Sequence, residues 1–154
     1  RLSAQDSAHA ALYRQNAKDL AVRLDKLDSE LKADLAPLAG KPYVVYHDAF
    51  QYFEKRYGLT PAGSITLEER NPSAKTIAKL RRKISLVKAA CVFKEPQAPA
   101  RPALTVAEGL NVKIGTLDDL GSEQTAGPGL YAAVLKGLAA NLRGCLLVAG
   151  LTDK

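Results

Sequence analysis

The sequence predicts an α/β fold: a long N-terminal amphipathic helix, then a small, roughly four-stranded parallel sheet flanked by helices. Two observations carry this prediction. Leucines recur at steps of three and four along residues 3–36, and after Gly40 short β-branched or aromatic runs alternate with helical patterns. Strands separated by helices form βαβ units, in which the strands are parallel. The chain has 154 residues, enough for about one domain with a real core.

The first predicted helix spans residues 3–36, with Ser3 or Asp6 as its start and Pro37 and Gly40 at its end. At 1.5 Å per residue it would be about 50 Å long, which exceeds the width of a domain of this size. A helix of that length either forms a coiled coil or links two lobes. We interpret residues 1–38 as a linking helix, because the leucine spacing is not kept toward the N-terminus, and residues 39–154 as an α/β lobe. The apolar stripe consists of Leu20, Leu24, Leu27, Leu31, Leu35 and Leu38.

The remaining elements follow in alternating order, with Gly and Pro residues at the joints. A buried strand over 42–47 comes first because Tyr43, Val44 and Val45 form an apolar run. Apolar residues at helical spacing predict the helices, and short apolar runs predict the other strands. The predicted order is strand 42–47, helix 48–57, strand 64–67, helix 73–88, strand 91–94, helix 100–109, strand 111–115 and helix 129–143.

His47 is the first candidate functional residue, because it ends the first predicted strand. In open α/β sheets ligands bind at the carboxyl ends of the strands. An imidazole at that edge can be a metal ligand or an acid/base group, although a histidine that only makes a structural hydrogen bond fits the sequence equally well. His9 lies among alanines on the first helix, and we expect it to be a surface residue.

Asp118 is the second candidate, because it follows the predicted strand 111–115 and so lies at the same edge as His47. Asp119 could take the same position. The alternative is a turn in which the Asp carboxylate accepts backbone N–H groups. One imidazole and one carboxylate suit zinc or another divalent ion, but a closed zinc site needs about four donors. Further ligands would have to come from elsewhere.

The net charge is +6, and its densest cluster of cations lies on the predicted helix 73–88. A basic helix face can be merely solvated or can bind nucleic acid. We expect a solvated face, because no aromatic side chains are interleaved with the cations. The cluster comprises Lys75, Lys79, Arg81, Arg82, Lys83 and Lys88.

The two cysteines, Cys91 and Cys145, are too far apart in sequence for a CxxC motif. Cys91 opens a predicted strand and Cys145 lies at the end of the last helical pattern. They could form a disulfide that closes a loop of about 54 residues, which the chain-entropy model values at roughly 4 kcal/mol. They could equally be two buried thiols, so the residues alone leave both alternatives open.

Four segments in order resemble a known family. They are KPYVVYHDAFQYF at 41–53, YGLTP at 57–61, CVFKEPQ at 91–97 and GTLDDLG at 115–121. Together they resemble the C-terminal lobe of the ZnuA family, the periplasmic zinc-binding proteins of bacterial ABC transporters. The resemblance covers the whole chain, because the family joins its two lobes by one long helix.

The resemblance implies a protein that is not an enzyme, that captures Zn²⁺ in the periplasm and delivers it to a cognate inner-membrane ABC permease. The family holds its metal between two lobes, and the two histidines of its N-terminal lobe are absent here. His47 matches the ligand that is His in zinc members and typically Glu in manganese members. Asp118 matches the last ligand position, and the Cys91 and Cys145 pair matches a disulfide of zinc members.

These expectations leave alternatives in other classes. The same family has manganese- and iron-binding members. Without the family, the sequence is also compatible with a free-standing α/β enzyme that uses His47 and Asp118 as acid and base. A third alternative is a nucleic-acid-binding domain that uses the basic helix 73–88.

Overall fold

The computed structural model describes residues 1–66 and 72–148, which form an α/β structure with a single sheet. Leu67, the last residue of the predicted strand 64–67, lies outside the described residues, as does Asn71, which precedes Pro72. The helices are α1 (Leu2–Gln5), α2 (Ala10–Leu35), α3 (Gln51–Tyr57), α4 (Ala74–Val87), α5 (Arg101–Ala107) and α6 (Leu130–Val148). The strands are β1 (Tyr43–His47), β2 (Pro61–Thr66), β3 (Cys91–Lys94) and β4 (Lys113–Thr116).

The sheet has the strand order β2-β1-β3-β4, and all three strand pairs are parallel. Tyr43 pairs with Cys91 between β1 and β3, and Cys91 pairs with Lys113 between β3 and β4. The chain moves outward from β1 to β2 and then returns to the other side of β1. The strand order therefore reverses between β1 and β3, which is the point where such sheets bind ligands. The predicted fold class is confirmed.

The sheet separates two apolar cores, because successive side chains of a strand point to opposite faces. On one face Tyr43, Val45 and Phe93 pack with α2 and α6. On the other face Val44 and Val92 pack with buried residues of α4 and α5. Both faces of the central strands are thus buried, which explains why their sequences are continuous apolar runs rather than alternating ones.

The long N-terminal helix is present, but its first turn is separate from the rest. Asp6 has an extended backbone, with φ −130° and ψ 83°, and its side chain accepts a hydrogen bond from the His9 N–H. Its carboxylate also accepts a hydrogen bond from the Tyr13 hydroxyl at 2.8 Å. The chain therefore continues through a 3-10 turn at Ser7–His9 before α2 begins. Asp6, one of the two predicted helix starts, caps this turn, whereas the predicted range 3–36 had no break after Gln5.

The buried residues of the long helix, which pack against the sheet and α6, lie in its C-terminal half. Leu27, Leu31 and Leu35 are buried, whereas Leu12 is 55% and Val22 is 62% exposed. This half also forms two ion pairs with α6. Lys136 Nζ lies 2.8 Å from Glu30 Oε2, and Arg143 Nη1 lies 2.5 Å from Asp34 Oδ1. The N-terminal half of α2 therefore presents apolar side chains that the other residues described by the structure do not cover.

The last helix is joined to the centre of the sheet by a disulfide between Cys91 of β3 and Cys145 of α6. The predicted disulfide is confirmed. By length and composition alone the segment Leu130–Leu147 could cross a membrane, with a mean hydropathy of 1.3. Its Leu138, Leu142 and Leu146 are instead buried in the core against α2 and the sheet.

Candidate metal centre

The carboxyl ends of three adjacent strands bring the candidate residues together. His47 is the last residue of β1, Glu95 follows β3 directly, and Asp119 lies in the turn after β4. Because β1, β3 and β4 are neighbours in the sheet, these ends meet at one edge. We call this group of His47, Glu95, Gln97 and Asp119 the edge cluster.

Glu95 holds the His47 ring on one side. Its Oε1 lies 2.5 Å from His47 Nδ1, and the Glu95 residue is only 4% exposed. Burial raises the pKa of Glu95, and its hydrogen bond with His47 opposes that rise. With Nδ1–H donating to the carboxylate, Nε2 keeps its lone pair for a ligand. Histidines that bind metals are commonly oriented in this way by a carboxylate behind them.

The other ring nitrogen faces Asp119. Asp119 Oδ2 lies 3.8 Å from His47 Nε2, which is too long for a hydrogen bond. Asp119 Oδ1 accepts a hydrogen bond from Gln97 Nε2 at 2.8 Å. Gln97 therefore fixes one oxygen of Asp119 and leaves the other directed at the imidazole.

Asp118 does not contact His47 and is instead part of the turn after β4. Its Oδ1 accepts the Gly121 N–H at 2.9 Å, and its Oδ2 accepts the Ser122 hydroxyl at 3.0 Å and the Glu123 N–H at 3.3 Å. Burial acts to raise the pKa of Asp118, but these hydrogen bonds outweigh it and lower the pKa. Of the two neighbouring aspartates, the structure brings Asp119 to His47.

The edge cluster contains two residues that the sequence analysis did not single out, Glu95 and Gln97. Their position in the sequence could have indicated them, because both follow the buried strand 91–94, just as His47 ends the first strand. Among residues 1–66 and 72–148, no three His, Cys, Asp or Glu side chains are grouped so as to hold a metal ion. His47 Nε2 and Asp119 Oδ2 are two possible donor atoms at this edge, fewer than the about four donors of a closed zinc site.

The acid/base pair considered for an enzyme is not formed, because both carboxylate oxygens of Asp118 are engaged in its own turn. His9 lies on the surface, as expected, with Nδ1 2.9 Å from Asp6 Oδ2.

In the basic helix, Arg81 is committed to the fold. Its Nη1 donates to the backbone oxygens of Thr105 at 2.8 Å and Val106 at 3.1 Å, at the C-terminal end of α5. The neighbouring Arg82 is exposed. One nitrogen of a central cation of the basic face considered for nucleic acid is therefore used within the fold.

Comparison with known proteins identifies the family. The family described as ZnuA, zinc-uptake complex component A, periplasmic, matches residues 1–145. The chain belongs to the ZnuA family. The family comprises solute-binding transport proteins rather than enzymes.

Curated ZnuA proteins include relatives that are similar over nearly the whole chain. The high-affinity zinc uptake system protein ZnuA of Brucella abortus (strain 2308) is 44% identical over 146 residues, which are 94% of this chain and 44% of the relative. The protein of the same name from Paracoccus denitrificans is 39% identical over 147 residues, or 94% of this chain and 45% of the relative. The chain spans a little less than half the length of these ZnuA relatives.

Solved structures support the ZnuA fold. A crystal structure of ZnuA matches with a TM-score of 0.80 at 23% identity, covering 94% of this chain and 52% of that one. A Zn(II)-bound variant of AdcAII from Streptococcus pneumoniae matches with a TM-score of 0.73 at 25% identity, covering 94% of this chain and 54% of that one.

Proposed function

We propose that this chain is the C-terminal lobe and linking helix of a periplasmic protein that captures zinc and delivers it to an inner-membrane ABC permease. The observation that carries the proposal is the orientation of His47. A buried carboxylate holds Nδ1, and Nε2 faces the sheet edge where ligands bind. The zinc-uptake names of the curated relatives support the choice of zinc.

The donor chemistry also favours zinc over harder cations. A neutral imidazole suits zinc, whereas magnesium, calcium and manganese prefer carboxylate and carbonyl oxygens. The hydrogen bond between Glu95 Oε1 and Nδ1 fixes the direction in which the imidazole presents Nε2. A manganese- or iron-binding protein is the alternative within the family, and metal titration distinguishes the two.

The remaining ligands are expected from a second lobe on the other side of the site. The chain corresponds to less than half of each curated relative, and the N-terminal half of α2 exposes apolar side chains that a second lobe would cover. On this proposal residues 1–38 link the two lobes and residues 39–154 form the C-terminal lobe. Because His47 and Asp119 are fewer than the four donors of a closed site, the chain alone should bind zinc weakly.

Competition titration with a weak zinc chelator tests the proposal on the 154-residue chain. His47→Ala should weaken zinc binding at least tenfold, because it removes the only imidazole at the edge. His9→Ala is the matched control, since His9 is the other histidine of the chain and lies on the helix surface. It should bind zinc as the parent does. Zinc affinity within about twofold of the parent in His47→Ala would refute the proposal.

A second variant tests the metal preference. His47→Glu replaces a borderline nitrogen donor by a hard carboxylate, so the ratio of manganese to zinc affinity should rise. An unchanged ratio would mean that residue 47 does not bind the metal directly. The proposal assigns the protein no catalytic reaction.

A further inference from the structure

We infer that the groove between β2 and α4 binds an extended acidic segment of a partner protein, which adds a strand to the free edge of the sheet. The groove has a volume of about 710 Å³ and is lined by β2 along its whole length and by one side of α4. No residue of the edge cluster lines it. The inference therefore goes beyond the proposed function and does not depend on zinc. We call this cavity the β2 groove.

One wall of the β2 groove is an unpaired strand edge. Within the described sheet, β2 pairs with β1 on one side only, and residues 61–65 form no other backbone hydrogen bond with the described chain. An edge strand of this kind presents N–H and C=O groups to which an extended chain can pair. Pro61 is exposed, and Gly63 and Ser64 are partly exposed, so a second chain can reach this edge. The strand carries no charged side chain that would oppose such pairing.

The other wall of the β2 groove is positively charged. Arg81, on the side of α4 that faces α5, donates to two carbonyls there. Lys79 and Lys83 instead line the groove, are exposed and form no ion pair with any described residue. The helix α4 contains no acidic residue that would neutralise them. Asp48 also lines the groove, but it follows β1 and so lies toward the carboxyl ends of the strands.

The spacing of the two lysines matches the repeat of an extended chain. Lys79 and Lys83 are about 6 Å apart along the helix axis, at 1.5 Å per residue. Side chains on one face of a strand recur every two residues, or about 6.6–6.8 Å. Because α4 connects two parallel strands, it runs back along the sheet. Carboxylates at alternate positions of an added strand would therefore meet the two lysines, and we expect the partner segment to carry acidic residues in that pattern.

The groove fits other occupants less well. No aromatic side chain is among its described lining residues, whereas sites for single-stranded nucleic acid usually stack bases on aromatic rings. A second copy of this chain would bring the same lysines toward each other, and like charges repel. A small anion would leave the row of peptide groups on β2 unused, whereas strand addition uses main-chain hydrogen bonds for affinity and side chains for specificity.

Fluorescence anisotropy with a labelled short peptide of alternating Glu and Val tests the inference on the 154-residue chain. The double variant Lys79→Glu, Lys83→Glu should weaken peptide binding by about tenfold or more, because it reverses both charges that face the carboxylates. The matched control is Arg14→Glu, Lys18→Glu, which changes two exposed cations one turn apart on α2 and alters the net charge equally. It should change the affinity by less than about twofold. Equal losses in the two double variants would overturn the inference.

N-methylated peptides test strand addition on the parent chain. N-methylation of every second residue removes the N–H groups on one edge of the peptide. One alternating set should abolish binding, and the other should leave it within about threefold, because only one edge of an added strand pairs with β2. A peptide of the same composition with its Glu residues consecutive should bind about fivefold more weakly or less. Equal binding of both N-methylated sets, or of the consecutive and alternating peptides, would show a general attraction to the lysines and overturn the inference.

Two further measurements exclude the other occupants. A single-stranded oligonucleotide of the same charge should bind about tenfold more weakly than the alternating peptide. Comparable binding would mean that the groove accepts any polyanion and would overturn the inference. Amide exchange of residues 61–66 should become slower on addition of the alternating peptide and should not depend on the protein concentration. Slower exchange on raising the protein concentration alone would place a second copy in the groove and would overturn the inference as well.

Discussion

Gly115 lies directly beside the Phe93 ring in the sheet, and adding one carbon there gives a sharp test of the packing. A Cβ at Gly115 would lie 2.4 Å from Phe93 Cε1 and 2.6 Å from Phe93 Cδ1. Ordinary van der Waals contact begins at 3.4 Å, so the overlap is about 1 Å. Gly115 belongs to β4 and pairs with Phe93 in the parallel register of the sheet.

The Phe93 ring cannot move aside without disturbing its neighbours. It is 0% exposed and packs edge-to-face against Tyr43, with 5.8 Å between the ring centres. Tyr43 is also buried, and its hydroxyl donates to Glu54 Oε1 at 2.8 Å. Overpacking a well-packed core typically costs about 1–3 kcal/mol. If Gly115→Ala lowers the free energy of unfolding by about 2 kcal/mol, the unfolding temperature should fall by roughly 4–8 °C.

The matched control is Gly137→Ala in α6, where no heavy atom lies within 4 Å of the added Cβ. Alanine in a helix interior is favoured over glycine by up to about 1 kcal/mol, so this variant should be slightly more stable than the parent. Urea unfolding followed by circular dichroism, with the disulfide intact, measures both variants. The packing argument is wrong if Gly115→Ala unfolds within about 0.5 kcal/mol of the parent.

Three further predictions concern the groups that hold the lobe together. Reduction of the disulfide should lower the free energy of unfolding by about 4 kcal/mol, because it releases a closed loop of about 54 residues. Glu54→Gln should be more stable than the parent at pH 7 and should approach it as the pH falls toward 4.5. The reason is that burial raises the pKa of Glu54 above 4.5, so the parent loses stability as the pH rises through that raised pKa. Arg81→Ala should lower the free energy of unfolding by about 1–3 kcal/mol, because it leaves the α5 carbonyls without their charged donor. Arg82→Ala should change that free energy by less than about 0.5 kcal/mol.

Each of these has a result that would contradict it. Two alkylatable thiols in freshly purified, non-reduced protein would speak against the disulfide. A stability difference between parent and Glu54→Gln that stays constant from pH 4 to 8 would mean that burial of the Glu54 charge does not matter. Equal losses in Arg81→Ala and Arg82→Ala would show that the carbonyl contacts of Arg81 contribute nothing specific.

The sequence predicted the order of strands and helices well because local signals marked most of them. The strands β1 and β3 are buried on both faces, and α4 begins after Ser73, whose side chain accepts the Thr76 N–H. Boundaries that depend on distant partners were less accurate. The strand β2 begins at Pro61 rather than at 64, because its first residue pairs with Tyr43 of β1. The last helix continues past residue 143, because Cys145 is joined to β3.

The sequence predicted the location of the candidate site but not all of its residues, since Glu95 and Gln97 were missed. The rule that ligands bind at strand ends led to His47 and to the pair of aspartates after β4. Which aspartate faces the imidazole depends on the turn, where Asp118 accepts three hydrogen bonds and Asp119 projects to the other side. Sequence spacing carries no information on that choice, because the two residues are adjacent. Glu95 was overlooked because a Glu before a Pro is typical of a joint between elements.

The central strand β3 is connected at one end to α6, by the disulfide, and is followed at the other end by the residue that holds His47. At its first residue Cys91 is bonded to α6, which in turn is held to the long helix by ion pairs with Glu30 and Asp34. Directly after its last residue, Glu95 holds the His47 ring. A shift of β3 along its own axis would therefore strain the disulfide at one end and move the imidazole at the other. The position of the long helix and the orientation of the His47 ring are fixed relative to the same four-residue strand.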